Sequence, residues 1–212
     1  MRTLSAAAGA ERERAVSAAA SAARRGDLVL LPTESVYALA TDPFSTRGVA
    51  AIRSVKGLAE HAPLPLMVPS AATVHGIASG VTPTVQALME AFWPGPLTLL
   101  LPGQPSLAWD LPSHLPVTVR MPIHPVTLAV LERTGPLIVT AANAPGQPGP
   151  TSIEAATQQL GECAAIAIDT GELVSHEGPS TVVDVTGVIP RVVRPGALSV
   201  TLLREVAPEI AD

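Results

Sequence analysis

The sequence contains few cysteine and aromatic residues, and each shortage excludes a class of protein. Cys163 is the only cysteine in 212 residues, which excludes an internal disulfide and a cysteine-based metal cluster and indicates a reducing compartment. Because an apolar run, 164–168, follows it, we predict a buried structural thiol rather than a nucleophile. Aromatic residues make up only 2% of the chain, so the core must consist of Ala, Val, Leu and Ile.

Charged residues and long apolar runs are also scarce. A charged fraction of 15% beside a hydrophobic fraction of 47% excludes a disordered chain. The formal net charge of −5 argues against a protein that coats nucleic acid through bulk electrostatics. No apolar run approaches the roughly 18 residues of a membrane span, and charged residues at 11–14 interrupt the alanine-rich N-terminus before a signal peptide could form. We therefore predict a cytoplasmic protein that does not associate with membranes.

Lysine is rarer than any other basic residue. Twelve of the thirteen Lys and Arg residues are arginine, and Lys56 is the single lysine. An ammonium is a compact point charge and a guanidinium is a planar fork, so the two are not interchangeable. Lys56 therefore either has a role that arginine cannot fill or has survived by chance on a solvated surface, and composition alone leaves both interpretations open.

Strand and helix patterns alternate along the whole chain without a linker or a repeat. This predicts one α/β domain over 1–212 with a mixed sheet, comprising an N-terminal helix region at 1–26, a core at 27–198 and a C-terminal helix at 199–212. Predicted helices cover 6–25, 48–55, 82–92, 126–133, 151–160 and 199–206. Predicted strands cover 28–32, 65–68, 97–101, 117–120, 137–140, 164–169, 181–185 and 192–194. The run Thr151-Ser-Ile-Glu154 has the spacing of a capping box.

The common catalytic motifs are missing. The sequence has no P-loop, no dinucleotide-binding glycine fingerprint and no Gly-x-Ser-x-Gly nucleophile elbow. The histidines lack the spacing of metal ligands, so we predict surface or loop histidines and no metal site; they are His61, His75, His114, His124 and His176.

Polar residues instead follow directly after predicted strands. Thr33-Glu-Ser35 follows the first buried strand, Arg120 ends another, and Thr140-Ala-Ala-Asn143 follows a third. Ligands bind at the carboxyl ends of strands in open α/β sheets, because loops from several strands meet there. The same residue types also form ordinary turns. The pattern therefore allows either a binding site or simple turn chemistry.

Taken together, these segments resemble a known family. They are Leu28-Val-Leu-Leu-Pro-Thr-Glu-Ser-Val-Tyr37, Lys56-Gly57, Pro63-Leu64, Trp93-Pro-Gly-Pro-Leu-Thr98, Val119-Arg-Met-Pro122, Thr140-Ala-Ala-Asn143, Ser180-Thr-Val-Val-Asp184 and Arg194-Pro-Gly-Ala197. Their order and spacing over about 28–198 are similar to those of the YrdC-like threonylcarbamoyl-adenylate synthases. The resemblance implies an open, twisted, mixed α/β sheet with flanking helices and a concave groove.

The resemblance also implies an activity and a set of site residues. Family members condense L-threonine, bicarbonate and ATP to threonylcarbamoyl-AMP and pyrophosphate, with Mg²⁺ assisting, for tRNA modification. Carried over by position, the residues expected to bind threonine are Thr33, Ser35, Arg120 and Ser180. Of these, Arg120 would pair with the threonine carboxylate. Those expected to bind ATP are Asn143, Thr151, Arg194 and Lys56, whose ammonium would act as the catalytic group facing the phosphates.

Two positions depart from the family signature of Lys-x-Arg followed later by Ser-x-Asn. Leu58 stands where the family has arginine, and Ala141 stands where it has serine. Losing a phosphate-binding arginine weakens stabilisation of the transferring group. The alternative interpretation is therefore a divergent relative that binds RNA or a nucleotide without turnover, or one that makes another carbamoyl-adenylate. Its expected partner is RNA or a tRNA-modification protein.

Overall fold

A mixed β-sheet runs through the protein in the computed structural model, which describes residues 1–112, 115–174 and 178–212. His114 and His176 lie outside the described residues. Ten strands form the described sheet in the order β1-β8-β2-β3-β7-β4-β6-β5-β9-β10. They are β1 (Arg2–Ser5), β2 (Val29–Pro32), β3 (Tyr37–Thr41), β4 (Leu66–Met67), β5 (Leu97–Leu101), β6 (Val117–Arg120), β7 (Leu137–Ala141), β8 (Ile166–Asp169), β9 (Thr181–Asp184) and β10 (Arg191–Arg194).

Neighbouring strands pair in both directions. The parallel pairs are β1 with β8, β8 with β2, β4 with β6, and β5 with β9. The other five pairs are antiparallel. In particular, β2 and β3 form a hairpin whose turn consists of residues 33–36. The polar residues of this turn therefore lie at the ends of two central strands.

Helices cover both faces of the sheet. They are α1 (Gly9–Arg24), α2 (Thr46–Val55), α3 (Val74–Ile77), α4 (Pro83–Phe92), α5 (Pro125–Thr134), α6 (Ile153–Leu160) and α7 (Val200–Val206), with a 3₁₀ turn at Ala71–Thr73. Residues of α1 and α5 share one buried cluster, and residues of α2, α3, α4, α6 and α7 share the other. None of the helices in the described ranges is long and apolar enough to cross a membrane.

Strand β2 contributes side chains to both buried clusters. Leu30 points into the cluster beneath α2, whereas Val29 and Leu31 point into the cluster beneath α1. A strand buried on both faces needs apolar residues at every position, which explains the continuous apolar run in the sequence. On the second face, α1 packs through alanines such as Ala15 and Ala19, whose small side chains allow the helix to approach the sheet closely.

The fold class predicted from the sequence is confirmed, since the protein is α/β with a mixed sheet and flanking helices. The predicted helices and strands are present with ends shifted by three residues at most. The sequence patterns do not predict the short α3 or the strands β1 and β3. The capping box at Thr151 is wrong: Ser152 is the N-cap of α6, and its side chain accepts a hydrogen bond from the Ala155 amide at 3.1 Å.

Candidate functional site

A cavity of about 520 Å³ lies against the central strands of the sheet, a size that suits a small molecule. It is lined by Thr33, Ser35, Val36, Ala38, Pro65, Leu66, Met67, Thr98, Thr118, Arg120, Val139, Thr140, Ala141, Gly149, Gly178, Pro179, Ser180, Val182 and Arg194. The two charged side chains among these described residues are arginines, so the cavity is suited to an anionic ligand.

The turn between β2 and β3 forms one wall of the cavity. The Thr33 hydroxyl donates to the Val36 carbonyl at 2.6 Å and accepts from the Val36 amide at 3.3 Å, so this side chain holds the turn closed. The Ser35 hydroxyl has no hydrogen-bond partner among the described residues, and Ser35 lines the cavity. A ligand would therefore meet the Ser35 hydroxyl, whereas Thr33 shapes the wall.

Arg120 ends β6, and its guanidinium contacts Glu34 of this turn. Its Nε donates to the Gly95 carbonyl at 3.0 Å, and its Nη2 donates to Glu34 Oε1 at 3.0 Å. The Arg120 and Glu34 side chains are 18% and 19% exposed. A guanidinium held in this way keeps a fixed plane against the cavity, and a planar guanidinium matches the geometry of a carboxylate.

Ser180, Thr98 and Arg194 form a second polar wall. The Ser180 and Thr98 hydroxyls share a 2.8 Å hydrogen bond, and Arg194 Nη2 donates to the Ser180 hydroxyl at 2.9 Å and its carbonyl at 2.8 Å. A Cβ at Gly196 would lie 2.2 Å from the Pro179 carbonyl oxygen, so only glycine allows the two segments to approach. The run 194–197 and the run 178–180 therefore form one rigid wall.

Lys56 is the C-cap of α2 and is buried, with 9% of its surface exposed. Its ammonium donates to the Ala141 carbonyl at 2.8 Å, to Asn143 Oδ1 at 2.7 Å and to the Asn143 carbonyl. Burial lowers the pKa of Lys56 below its ordinary value. The ammonium points to the end of β7, and Lys56 is not among the lining residues. Its role toward the phosphates stays a prediction.

Comparisons with known proteins identify the family. The Sua5/YciO/YrdC family model, described as "Telomere recombination", matches residues 21–196. The chain belongs to this family. A Mycobacterium tuberculosis protein provisionally named threonylcarbamoyl-AMP synthase is 40% identical over 197 residues, which are 92% of this chain and 90% of that protein. The threonylcarbamoyl-AMP synthase of Pyrococcus abyssi is 34% identical over 195 residues, which are 91% of this chain and 57% of that protein.

A solved structure of the Sua5/YciO/YrdC family shows the same fold. The crystal structure of Pyrococcus abyssi Sua5 complexed with L-threonine is similar to this chain with a TM-score of 0.88 and 30% identity. The similarity covers 100% of this chain and 62% of that one. This chain therefore corresponds to about three fifths of the Pyrococcus abyssi protein.

Two residues predicted to bind nucleotide, Asn143 and Thr151, lie beside the cavity and not in its lining. The Asn143 amide bridges Lys56 and the Gln147 carbonyl, to which its Nδ2 donates at 2.6 Å. The Thr151 carbonyl accepts from the Leu173 amide at 2.8 Å. Asn143 lies two residues after Ala141 and Thr151 lies two residues after Gly149, and both Ala141 and Gly149 line the cavity. Their roles toward ATP stay predictions.

The two departures from the Sua5/YciO/YrdC signature lie at different depths. Ala141 lines the cavity, so a serine there would add a hydroxyl to the wall. Leu58 is 40% exposed on the loop after α2. Gly57 takes a φ of +59°, and a Cβ at this glycine would lie 3.9 Å from the Pro145 side chain. The residue before Leu58 therefore lies close in space to the end of the segment that Lys56 contacts.

Glu34 and Thr98 are site residues that the sequence patterns do not identify. Glu34 lies between two predicted residues in the chain, and its role depends on a contact with Arg120 across 86 positions. Thr98 lies in an apolar strand pattern, yet its hydroxyl meets Ser180. The sequence offered one signal for each of them, because each is a polar residue inside a segment that resembles the family.

No group of three or more His, Cys, Asp or Glu side chains in the described part of the chain could hold a metal ion. The described lining of the cavity contains hydroxyl groups and guanidinium groups but no carboxylate. Mg²⁺ takes oxygen ligands and commonly binds through substrate phosphates together with carboxylates. The cavity alone therefore offers little to bind this ion without a phosphate ligand.

Proposed function

We propose that the protein condenses L-threonine, bicarbonate and ATP to threonylcarbamoyl-AMP, with release of pyrophosphate. The observation that carries this proposal is the cavity in which Arg120, from one wall, and Arg194, from the other, face a single small-molecule volume. One guanidinium suits a carboxylate and the second suits a phosphate. Support also comes from the relatives that bear the name of this activity and from a relative crystallised with L-threonine.

The reaction needs no nucleophilic side chain. The threonine amine combines with bicarbonate to form a carbamate and water, and a carbamate oxygen then attacks the α-phosphorus of ATP while pyrophosphate leaves. Arg120 holds the threonine carboxylate, and the Ser35 and Ser180 hydroxyls contact the remaining polar groups of this substrate. The protein contributes by placing the reactants together and by stabilising charge on the phosphates.

The nucleotide binds Arg194 on the second wall and extends to a rim formed by Asn143 and Thr151. Lys56 supports that rim through its three bonds to residues 141 and 143. ATP enters as its Mg²⁺ complex, because the phosphates supply the oxygen ligands that the described lining lacks. The product serves tRNA modification through an RNA or protein partner, and we place the reaction in the cytoplasm, where ATP is available and thiols stay reduced.

A coupled assay of pyrophosphate release tests the proposal, with mass spectrometry to identify threonylcarbamoyl-AMP. Release should require L-threonine, bicarbonate and ATP together. Arg120→Ala should abolish most of the release at low threonine, whereas Arg133→Ala, which removes a surface arginine paired with Glu13, should leave it unchanged. Pyrophosphate release that does not depend on threonine, or no nucleotide product of any kind, would overturn this function.

A second candidate function is favoured by Leu58 and Ala141, which remove an arginine and a hydroxyl from the family signature. The protein would then bind RNA or a nucleotide without turnover, or use another amine to make a different carbamoyl-adenylate. Leu58→Arg combined with Ala141→Ser should raise threonine-dependent release by more than the two single changes together, because both act on one triphosphate. A double variant that binds ATP but stays inactive would favour the binding function.

A further inference from the structure

Glu34 contacts Arg120 from outside the cavity. Arg120 is among the described lining residues and Glu34 is not. The Glu34 carboxylate accepts two hydrogen bonds on one oxygen, from Arg120 Nη2 at 3.0 Å and from the Ile123 amide at 2.6 Å. Glu34 is therefore placed behind the guanidinium, where it can restrain Arg120 without occupying the space of a ligand.

A second restraint acts on the same guanidinium. Arg120 Nε donates to the Gly95 carbonyl at 3.0 Å, and the Gly95 amide donates to the Met121 carbonyl at 3.0 Å. Nε and Nη2 lie on one edge of the planar guanidinium, so two anchored nitrogens define the orientation of the whole group. The anchors come from different parts of the chain, one from the β2–β3 turn and one from the segment before β5.

We propose that Glu34 is a positioning residue that holds the Arg120 guanidinium in the plane required to bind the threonine carboxylate. This inference rests on the proposed function. An unrestrained arginine side chain loses rotamer freedom when it binds a ligand, and bonds made before binding remove that cost. Because bidentate recognition depends on the guanidinium plane, the effect of Glu34 falls on substrate affinity more than on later steps.

A different role for Glu34 is purely structural. Its bond to the Ile123 amide lies next to His124, the N-cap of α5, whose Nδ1 accepts from the Val126 amide at 3.3 Å. A carboxylate at the beginning of a helix stabilises that helix. A structural role of this kind changes the melting temperature and leaves the affinity for threonine unchanged, so the two roles separate by experiment.

The experiment compares Glu34→Ala, Glu34→Gln and the control Glu13→Ala, which breaks the surface pair with Arg133. Threonine affinity is measured by calorimetry, and KM and kcat by pyrophosphate release. Glu34→Ala should raise the threonine KM and Kd by roughly 10-fold, with a smaller change in kcat. Glu34→Gln keeps an oxygen acceptor but removes the charge, so it should recover part of the affinity. Glu13→Ala should match wild type.

The same change in an Arg120→Ala background completes the test. There Glu34→Ala should have no further effect on threonine affinity, because the residue it positions is gone. Two results would overturn the positioning role. One is a threonine Kd for Glu34→Ala within about twofold of the Glu13→Ala value. The other is a loss of threonine affinity on Glu34→Ala that is as large in the Arg120→Ala background as in wild type. Wild-type protein that binds threonine but releases no pyrophosphate refutes the proposed function alone, since the Kd comparison still decides the role of Glu34. Wild-type protein that does not bind threonine refutes both.

Discussion

Replacing Lys56 with methionine should destabilise the protein strongly, although Lys56 is a charged residue at a helix end. Methionine keeps the length of the side chain and removes the ammonium, which leaves three oxygen acceptors of residues 141 and 143 without their donor. A hydrogen bond from a charged group contributes about 1.5 kcal/mol, so the loss of three such bonds should be about 4.5 kcal/mol. For a protein of this size, the melting temperature should fall by about 9–18 °C.

Thermal unfolding followed by circular dichroism measures this fall. Arg191→Met is the matched control, because Arg191 is an exposed basic residue without a side-chain partner in the described residues. Lys56→Arg should also lose stability, since a planar fork cannot direct three donors at acceptors grouped around one point. A Lys56→Met protein that melts within about 2 °C of wild type would refute the reasoning, because the three bonds would then contribute almost nothing.

Three further predictions concern other parts of the fold. Burial lowers the pKa of His124, so wild type should lose more free energy of unfolding than His124→Asn between about pH 7 and about pH 5, measured by urea denaturation. The hydrogen bond from Arg47 lowers the pKa of Asp27, so Asp27→Asn should reduce the free energy of unfolding at neutral pH. The difference between the variant and wild type should shrink as the pH falls below 3.8, and a difference that stays unchanged in acid would contradict this. Gly196→Ala would place a Cβ 2.2 Å from a main-chain oxygen, so it should lower the melting temperature and ATP affinity, whereas Gly76→Ala meets nothing within 4 Å and should do neither.

The sequence predicted the strands that are buried on both faces, because a short continuous apolar run such as that of β2 is typical of a strand packed between two layers. It did not predict β3, Tyr37–Thr41, which consists largely of small residues and directly follows a polar turn. It also did not predict β1, which is mostly exposed and is a strand because it pairs with β8, more than 160 residues away. Both omissions concern strands whose pairing partners, rather than their own composition, decide their conformation.

The candidate site was predictable to the extent that polar residues follow strands. Five predicted residues line one cavity, namely Thr33, Ser35, Arg120, Ser180 and Arg194. The position of the Lys56 ammonium was not predictable, because it depends on α2 ending next to the end of β7, 85 residues later. The pairing of Glu34 with Arg120 was not predictable for the same reason. Sequence patterns identify which residues lie at strand ends, and the pairing of strands decides which side chains meet.

The strand order has a consequence for how the protein is made. The cavity takes one wall from residues 33–36 and the other from 178–194, and β9 reaches its place only by pairing with β5, about 80 residues earlier in the chain. During synthesis, the β2–β3 hairpin and the first helices emerge long before the segment that carries Ser180 and Arg194. The binding cavity is therefore completed among the last features of the growing chain, and a nascent chain released before residue 178 carries the residues of the first wall without those of the second.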